Sequence, residues 1–178
     1  MNNTTKVWGI GLGRTGTKSL CAALKDLGYN VAHCPATLKE ISAPGLDGAA
    51  EGTVAFHFQY LDVRFPDSKF IATTRELRPW LQSCKRAIEE LYPLERLPEE
   101  NEFYDYMIRN RVNRYGCLNY NKEALMEKYY SHHYNILKYF KGRGDKMLFL
   151  DITKGGGWKP LCDFLNKPIP PTPFPVCR

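Results

Sequence analysis

Short apolar runs alternate with stretches of helical period along this chain. Val7–Ile10 is a compact apolar run that predicts a buried strand. Thr17–Leu27 repeats apolar residues at helical spacing, and Gly28 stands where a helix C-terminus favours glycine. Asn30–His33 predicts a short second strand, Ala55–Arg64 a helix, and Lys69–Thr74 and Lys146–Ile152 two further strands. Between the last two strands, Glu76–Glu90, Glu99–Tyr115 and Lys122–Lys141 read as helices. Pro79 is tolerated in the first turn of the first of these. The third carries Leu125, Tyr129, His133, Ile136, Leu137 and Phe140 near helical spacing, with Gly142 as its stop. Strands alternating with helices imply an α/β fold with a parallel sheet and crossover helices.

The segment Lys167–Pro175 holds Pro168, Pro170, Pro171, Pro173 and Pro175. It predicts an extended, polyproline-like tail over 166–178, lying as a strap on the domain. At 178 residues the chain fits one domain, 1–178, with a real core. No apolar run reaches membrane-spanning length, so no membrane partner is expected. The N-terminal residues lack a basic start followed by an apolar stretch, so no secretory leader is expected. Six scattered cysteines show no zinc spacing and fit reduced thiols in a cytoplasmic protein. The net charge of +6 suits an anionic ligand. No basic run interleaved with aromatics stands out, so nucleic acid is not expected.

The densest chemistry lies in Lys6–Ser19. The first strand meets a loop with Gly9, Gly11, Gly13 and Gly16, carries Arg14 and Lys18, and feeds a helix. Strand, glycine loop and helix start form the geometry that holds phosphate or sulfate. Backbone N–H groups point at the anion, and the helix dipole favours negative charge. The glycines spell the dinucleotide pattern G-x-G-x-x-G, but that pattern wants an acidic residue about 20 positions on. His33 and Cys34 stand there, and the next acid is Glu40. Gly11–Gly16 also nearly matches a nucleotide P-loop, yet Thr17 occupies the lysine position and Lys18 comes one residue late. A shift of one residue turns a helical side chain by about 100°.

The stretch Gly13-Arg14-Thr15-Gly16-Thr17-Lys18-Ser19-Leu20 resembles the 5′-phosphosulfate loop of sulfotransferases. Those enzymes use 3′-phosphoadenosine 5′-phosphosulfate (PAPS) and release the bisphosphate PAP. The strand Phe70–Thr74 ends in Arg75, and Ser83 lies eight residues beyond it. This resembles the family's 3′-phosphate site. The run Asp151-Ile152-Thr153-Lys154-Gly155-Gly156-Gly157-Trp158 is similar to the family's late glycine-rich loop and its Trp-led helix, which cover the nucleotide. The resemblance spans Val7 to about Pro175. It implies a single-domain three-layer α/β/α fold, P-loop-like, with a central parallel sheet of about five strands, including a third strand over Asp47–Glu51.

By the resemblance, Arg14 takes the place of the family's catalytic Lys or Arg. Thr15, Gly16, Thr17, Lys18 and Ser19 would hold the phosphosulfate. Arg75 and Ser83 would hold the 3′-phosphate, and Lys154, Gly155, Gly156 and Trp158 would cover the nucleotide. Arginine keeps its proton, so Arg14 would act electrostatically on charge growing at the leaving oxygen. The implied reaction moves a sulfuryl group from PAPS to a hydroxyl or amine of a small-molecule or glycan acceptor, with no metal.

An acceptor needs a base, and Glu51 and then His33 are the candidates. Each is expected at the carboxyl end of a parallel strand, where doubly wound sheets bind ligands. His57, in an apolar run, reads as a packing residue. Of His132 and His133, at least one is expected at the surface. The tyrosines between Tyr104 and Tyr139 read as packing rather than as an acceptor pocket. Two other functions fit parts of the pattern: a small P-loop kinase, and a non-catalytic PAP or PAPS binding module.

Overall fold

The computed structural model describes residues 5–96 and 102–177. The chain divides into two compact units, one joining Met1–Arg75 to Lys138–Arg178 and the other Glu76–Leu137.

The first unit carries the whole sheet. Its strands are β1 (Val7–Gly9), β2 (Val31–His33), β3 (Gly48–Ala50), β4 (Lys69–Thr73) and β5 (Met147–Leu150). They lie in the order β2-β3-β1-β4-β5, and every pairing is parallel. The α/β fold with five parallel strands is therefore the one the sequence implies. From β1 the chain crosses to one side for β2 and β3, then returns past β1 for β4. Such a reversal opens a crevice at the carboxyl ends of the strands.

Alternate strand residues face opposite layers. Val7, Val31 and Ile71 join Leu20 and Leu24 of α1 (Thr17–Asp26) and Leu161 of α8 (Trp158–Leu165) in one core cluster. Their neighbours Trp8 and Phe70 are fully buried among other rings. Trp8 lies 5.4 Å from Phe65, and Phe70 lies 4.9 Å from Phe140, between ring centroids. Beneath this second layer, Asp62 of α4 (Phe58–Arg64) accepts from Tyr139 Oη (2.9 Å), Arg143 Nη1 (2.6 Å) and Lys146 Nζ (2.5 Å). Burial opposes the charge on Asp62. The bonds from Lys146, Arg143 and Tyr139 outweigh it and hold the carboxyl below its usual range.

Helix α1 ends as the sequence implies. Gly28 adopts a left-handed φ of 88°, its N–H bonds Lys25 O at 2.9 Å, and Tyr29 N–H bonds Leu24 O at 3.0 Å. Both orphan carbonyls are satisfied by this turn. The predicted helix Ala55–Arg64 is instead two pieces, α3 (Thr53–Phe56) and α4, broken at His57. His57 is exposed rather than packed. Its Nδ1 bonds Thr53 O at 2.9 Å, and its own backbone N–H takes the same carbonyl at 3.1 Å. A short helix α2 (Leu38–Ile41), not predicted, is capped by the Thr37 hydroxyl, which accepts from Glu40 N–H at 3.2 Å.

The second unit is helical. The segment predicted as one helix over Glu76–Glu90 is α5 (Leu77–Arg86) followed by a π-helical turn, Ala87–Leu91. The Arg111 guanidinium donates to the Ile88 carbonyl in that widened turn (3.3 Å) and to Leu118 O (2.9 Å). Helix α6 is described over Glu102–Tyr115, so the first part of the predicted Glu99–Tyr115 helix falls outside the described residues. Helix α7 (Lys122–Tyr139) buries Leu125, His132 and Ile136, while Leu137 is exposed and His133 half-buried. The buried stripe thus runs through His132, one position before the histidine that the spacing picked out. Among the described residues no helix is long and apolar enough to cross a membrane.

Candidate active site

Three loops leave the carboxyl ends of β1, β2 and β3, and each carries a non-glycine residue with left-handed backbone: Arg14 (φ 72°), Cys34 (φ 54°) and Glu51 (φ 71°). Such strained residues concentrate where a fold over-determines a functional geometry. The fourth such residue among those described, Asn166, only terminates α8.

The first loop, Ile10–Gly16, is pressed against β4. A Cβ on Gly11 would sit 2.1 Å from Thr73 Oγ1 and 2.6 Å from the Thr73 carbonyl, so only glycine fits. The buried Thr15 hydroxyl donates to Leu12 O (2.6 Å) and accepts from Thr73 Oγ1 (2.6 Å). Thr15 is thereby committed to shaping the loop. Gly16, with φ 101°, sets the start of α1, whose first turn carries no acidic side chain. Arg14 is half-buried, and Arg75 Nη1 reaches its carbonyl at 3.4 Å.

The two candidate bases meet at the next residue along. Glu51 is nearly fully buried after β3, His33 ends β2, and Thr17 opens α1. The Thr17 hydroxyl donates to Glu51 Oε2, and His33 Nε2 lies 3.1 Å from the same oxygen and 3.2 Å from Thr17 Oγ1. A carboxylate only accepts, so Nε2 is the donor to Glu51 and Nδ1 is the ring nitrogen that this contact leaves over. The His33 side chain is 27% exposed against 8% for Glu51, so the imidazole is the member that a substrate can touch.

The other sequence-derived residues divide. Lys18 is exposed on α1. Ser19 is buried, and its Oγ accepts from the backbone N–H of Cys177 at 2.9 Å, so the tail ends over the start of α1. Arg75 closes the first segment of the sheet-bearing unit, and Ser83 is half-buried on α5 of the other unit. Lys154, Gly155 and Gly156 form an exposed turn, with φ 82° and 76° at the two glycines. Asp151 Oδ1 anchors that turn by accepting from Thr153 N (2.9 Å) and Oγ1 (2.6 Å).

Trp158 points inward. Its Nε1 donates to Thr172 O (2.7 Å), and its ring meets Phe174 edge-on at 4.9 Å. Its indole is thus taken by the tail, which lies as a strap on this unit. Sequence reasoning missed Thr73, although the Thr-Thr-Arg end of β4 marked a polar strand end. Among the described residues no three His, Cys, Asp or Glu side chains gather to hold a metal ion.

A parallel sheet with a glycine loop, an uncapped helix start and polar groups at the carboxyl edge places the chain in the P-loop-like class of α/β folds. The chain belongs to the sulfotransferase domain family, whose profile matches residues 6–46 and 42–177. It is also similar to the Ava biosynthesis cluster protein M of Aspergillus versicolor, at 26% identity over 97% of this chain and 80% of that protein.

Proposed function

We propose that this sulfotransferase-family chain moves a sulfuryl group from PAPS to a hydroxyl or amine of a small-molecule or glycan acceptor. The observation that carries the reading is the side chain of Thr17. It belongs to the phosphosulfate loop and is bonded to the Glu51–His33 pair, so donor loop and base share one residue.

The fit of this chain to the donor's phosphosulfate end is supported by the loop itself. Left-handed backbone at Arg14 and Gly16 turns the loop into α1, whose start has no side-chain cap, and a helix start of this kind favours an anion. When bound, PAPS supplies the activated sulfuryl group and a phosphate leaving group. Arg14 and the loop N–H groups oppose the charge that grows on the leaving oxygen, where preplaced donors matter most. Arg75 and Ser83 are each assigned by motif to the 3′-phosphate, where guanidinium gives a charged fork and hydroxyl a neutral contact. Lys154, Gly155 and Gly156 are assigned to cover the nucleotide.

His33 Nδ1 takes the acceptor's proton, and Glu51 orients the ring and steadies the imidazolium that forms. Glu51 thus becomes a positioning residue, with its carboxylate already engaged by Thr17. The scattered cysteines support a reducing, cytoplasmic setting.

The test pairs calorimetric titration of PAP, ATP and NAD with a labelled-PAPS acceptor screen on the wild type and Arg14→Ala. The reading requires PAP to bind in preference to ATP and NAD. It also requires a sulfated product whose turnover falls about 10²–10³-fold in Arg14→Ala. ATP-dependent transfer would support a kinase instead, and PAP binding without product a binding module.

A further inference from the structure

Within the unit Glu76–Leu137, a cavity of about 550 Å³ opens between α5 and the start of α7. One face of α5 supplies Leu77, Arg78, Leu81 and Lys85, and the turn into α7 supplies Tyr120, Lys122 and Met126. Helical spacing explains the set. Positions 77, 78, 81 and 85 share one side of α5, and 122 and 126 are one turn apart on α7. The volume falls within the range of about 300–1,000 Å³ typical of small-molecule sites.

The groove has an apolar floor and a cationic rim. Leu81 is buried, Leu77, Tyr120 and Met126 are half-buried, and Arg78, Lys85 and Lys122 are exposed. No carboxylate lines it. Lys85 lies over the Tyr120 ring at 5.5 Å and approaches Glu89 only at 3.9 Å. Among the described residues Arg78 and Lys122 make no ion pair. Three cations around an apolar trough attract an anion with an apolar body. They leave an ammonium unmatched, and they give a neutral molecule of the same shape only the trough.

We propose that this groove is a binding site for an amphipathic small-molecule anion. The ligand carries a carboxylate or sulfonate on an aromatic or alicyclic body. The body lies against Leu77, Leu81, Tyr120 and Met126, and the anionic end meets Lys85, Lys122 and Arg78. The inference concerns this unit alone and stands whether or not PAPS is the donor.

The probe is 2-naphthoate, compared with neutral 2-naphthol and cationic 2-naphthylmethylamine by calorimetry at neutral pH on the full chain. Saturable one-to-one binding of 2-naphthoate is expected, about tenfold or more tighter than 2-naphthol, with the amine weakest. Arg78→Gln combined with Lys85→Gln and Lys122→Gln should bring 2-naphthoate to the level of 2-naphthol and leave 2-naphthol unchanged. All three substitutions are at exposed positions, so the fold is expected to survive them. Met126→Trp should weaken all three compounds by filling the trough. Equal binding of the acid and the alcohol overturns the proposal. So does a preference for acid that persists in the triple variant, or binding that Met126→Trp leaves untouched.

Discussion

His33 Nε2 lies 3.1 Å from Glu51 Oε2, and the register of the sheet puts it there. Strands β2 and β3 pair in parallel with His33 opposite Ala50, so Glu51 follows one residue beyond the imidazole. Its left-handed backbone then turns the carboxylate back toward the ring and toward Thr17. Two residues 18 positions apart thus form one unit.

That relationship separates a base from its orienting partner. His33→Ala should reduce kcat by about 10²–10⁴-fold. Glu51→Gln should lower kcat by less, because the imidazole remains and only its orientation is lost. A Glu51→Gln enzyme slower than His33→Ala would reverse the two roles. Steady-state rates with labelled PAPS make the measurement.

The latch between the glycine loop and β4 predicts how that loop tolerates change. Thr15→Val removes a buried hydroxyl from both Leu12 O and Thr73, and should cost about 1–3 kcal/mol in denaturant unfolding. Gly11→Ala should weaken PAP binding and stability together. Adding Thr73→Ala should not restore either, because the clash with the Thr73 carbonyl at 2.6 Å remains. Rescue by the double variant would show that only the side chain matters.

Asp62 predicts an acid-sensitive stability. Its carboxyl titrates below the usual range of about 4, so its stabilisation is complete above that value and is lost as pH falls through the folded-state value. Asp62→Asn should reduce stability at neutral pH by about 1.5–3 kcal/mol and flatten the acid limb of the stability curve. Thermal unfolding of both proteins from pH 7 downward checks both effects.

The tail predicts a spectroscopic change. Trp8 and Trp80 are fully buried, so Trp158 is the indole whose surroundings the strap controls. Phe174→Ala should shift the tryptophan emission to the red and destabilise the fold by about 1–3 kcal/mol, less than a full core truncation because Phe174 is half-buried. Gly157→Ala should act in the same direction, since its Cβ would stand 2.6 Å from the Phe174 ring. Unchanged emission in both variants would detach the strap from Trp158.

Much of the sheet was legible because its strands are short apolar runs bounded by glycine and polar residues. Val31–His33 and Lys69–Thr73 fall within a residue of their predicted ends. Helices were less legible where a local backbone departure decided them. At His57 the backbone leaves helical geometry (φ −113°, ψ 23°) and the predicted helix breaks there, which periodicity does not show. The stripe of α7 shifted to His132 because apolar spacing cannot tell a buried imidazole from an exposed leucine. At the site, Arg14, Thr17, His33 and Glu51 could be named from pattern and strand position. The work of Thr15, Ser19 and Trp158 could not, because their partners Thr73, Cys177 and Phe174 are distant in sequence.

The sequence by itself determined a strand, glycine loop and helix suited to an anion, an alternation that folds into a parallel sheet, and a family. Those are local properties: backbone freedom at glycine, apolar period, and charge near a helix start. Only the tertiary structure decided which polar side chains meet. Pairing β2 beside β3 joined His33 to Glu51, and packing β4 against the first loop bonded the Thr15 hydroxyl to Thr73. Hydrogen bonds act over about 3 Å, and only the fold brings distant residues that close.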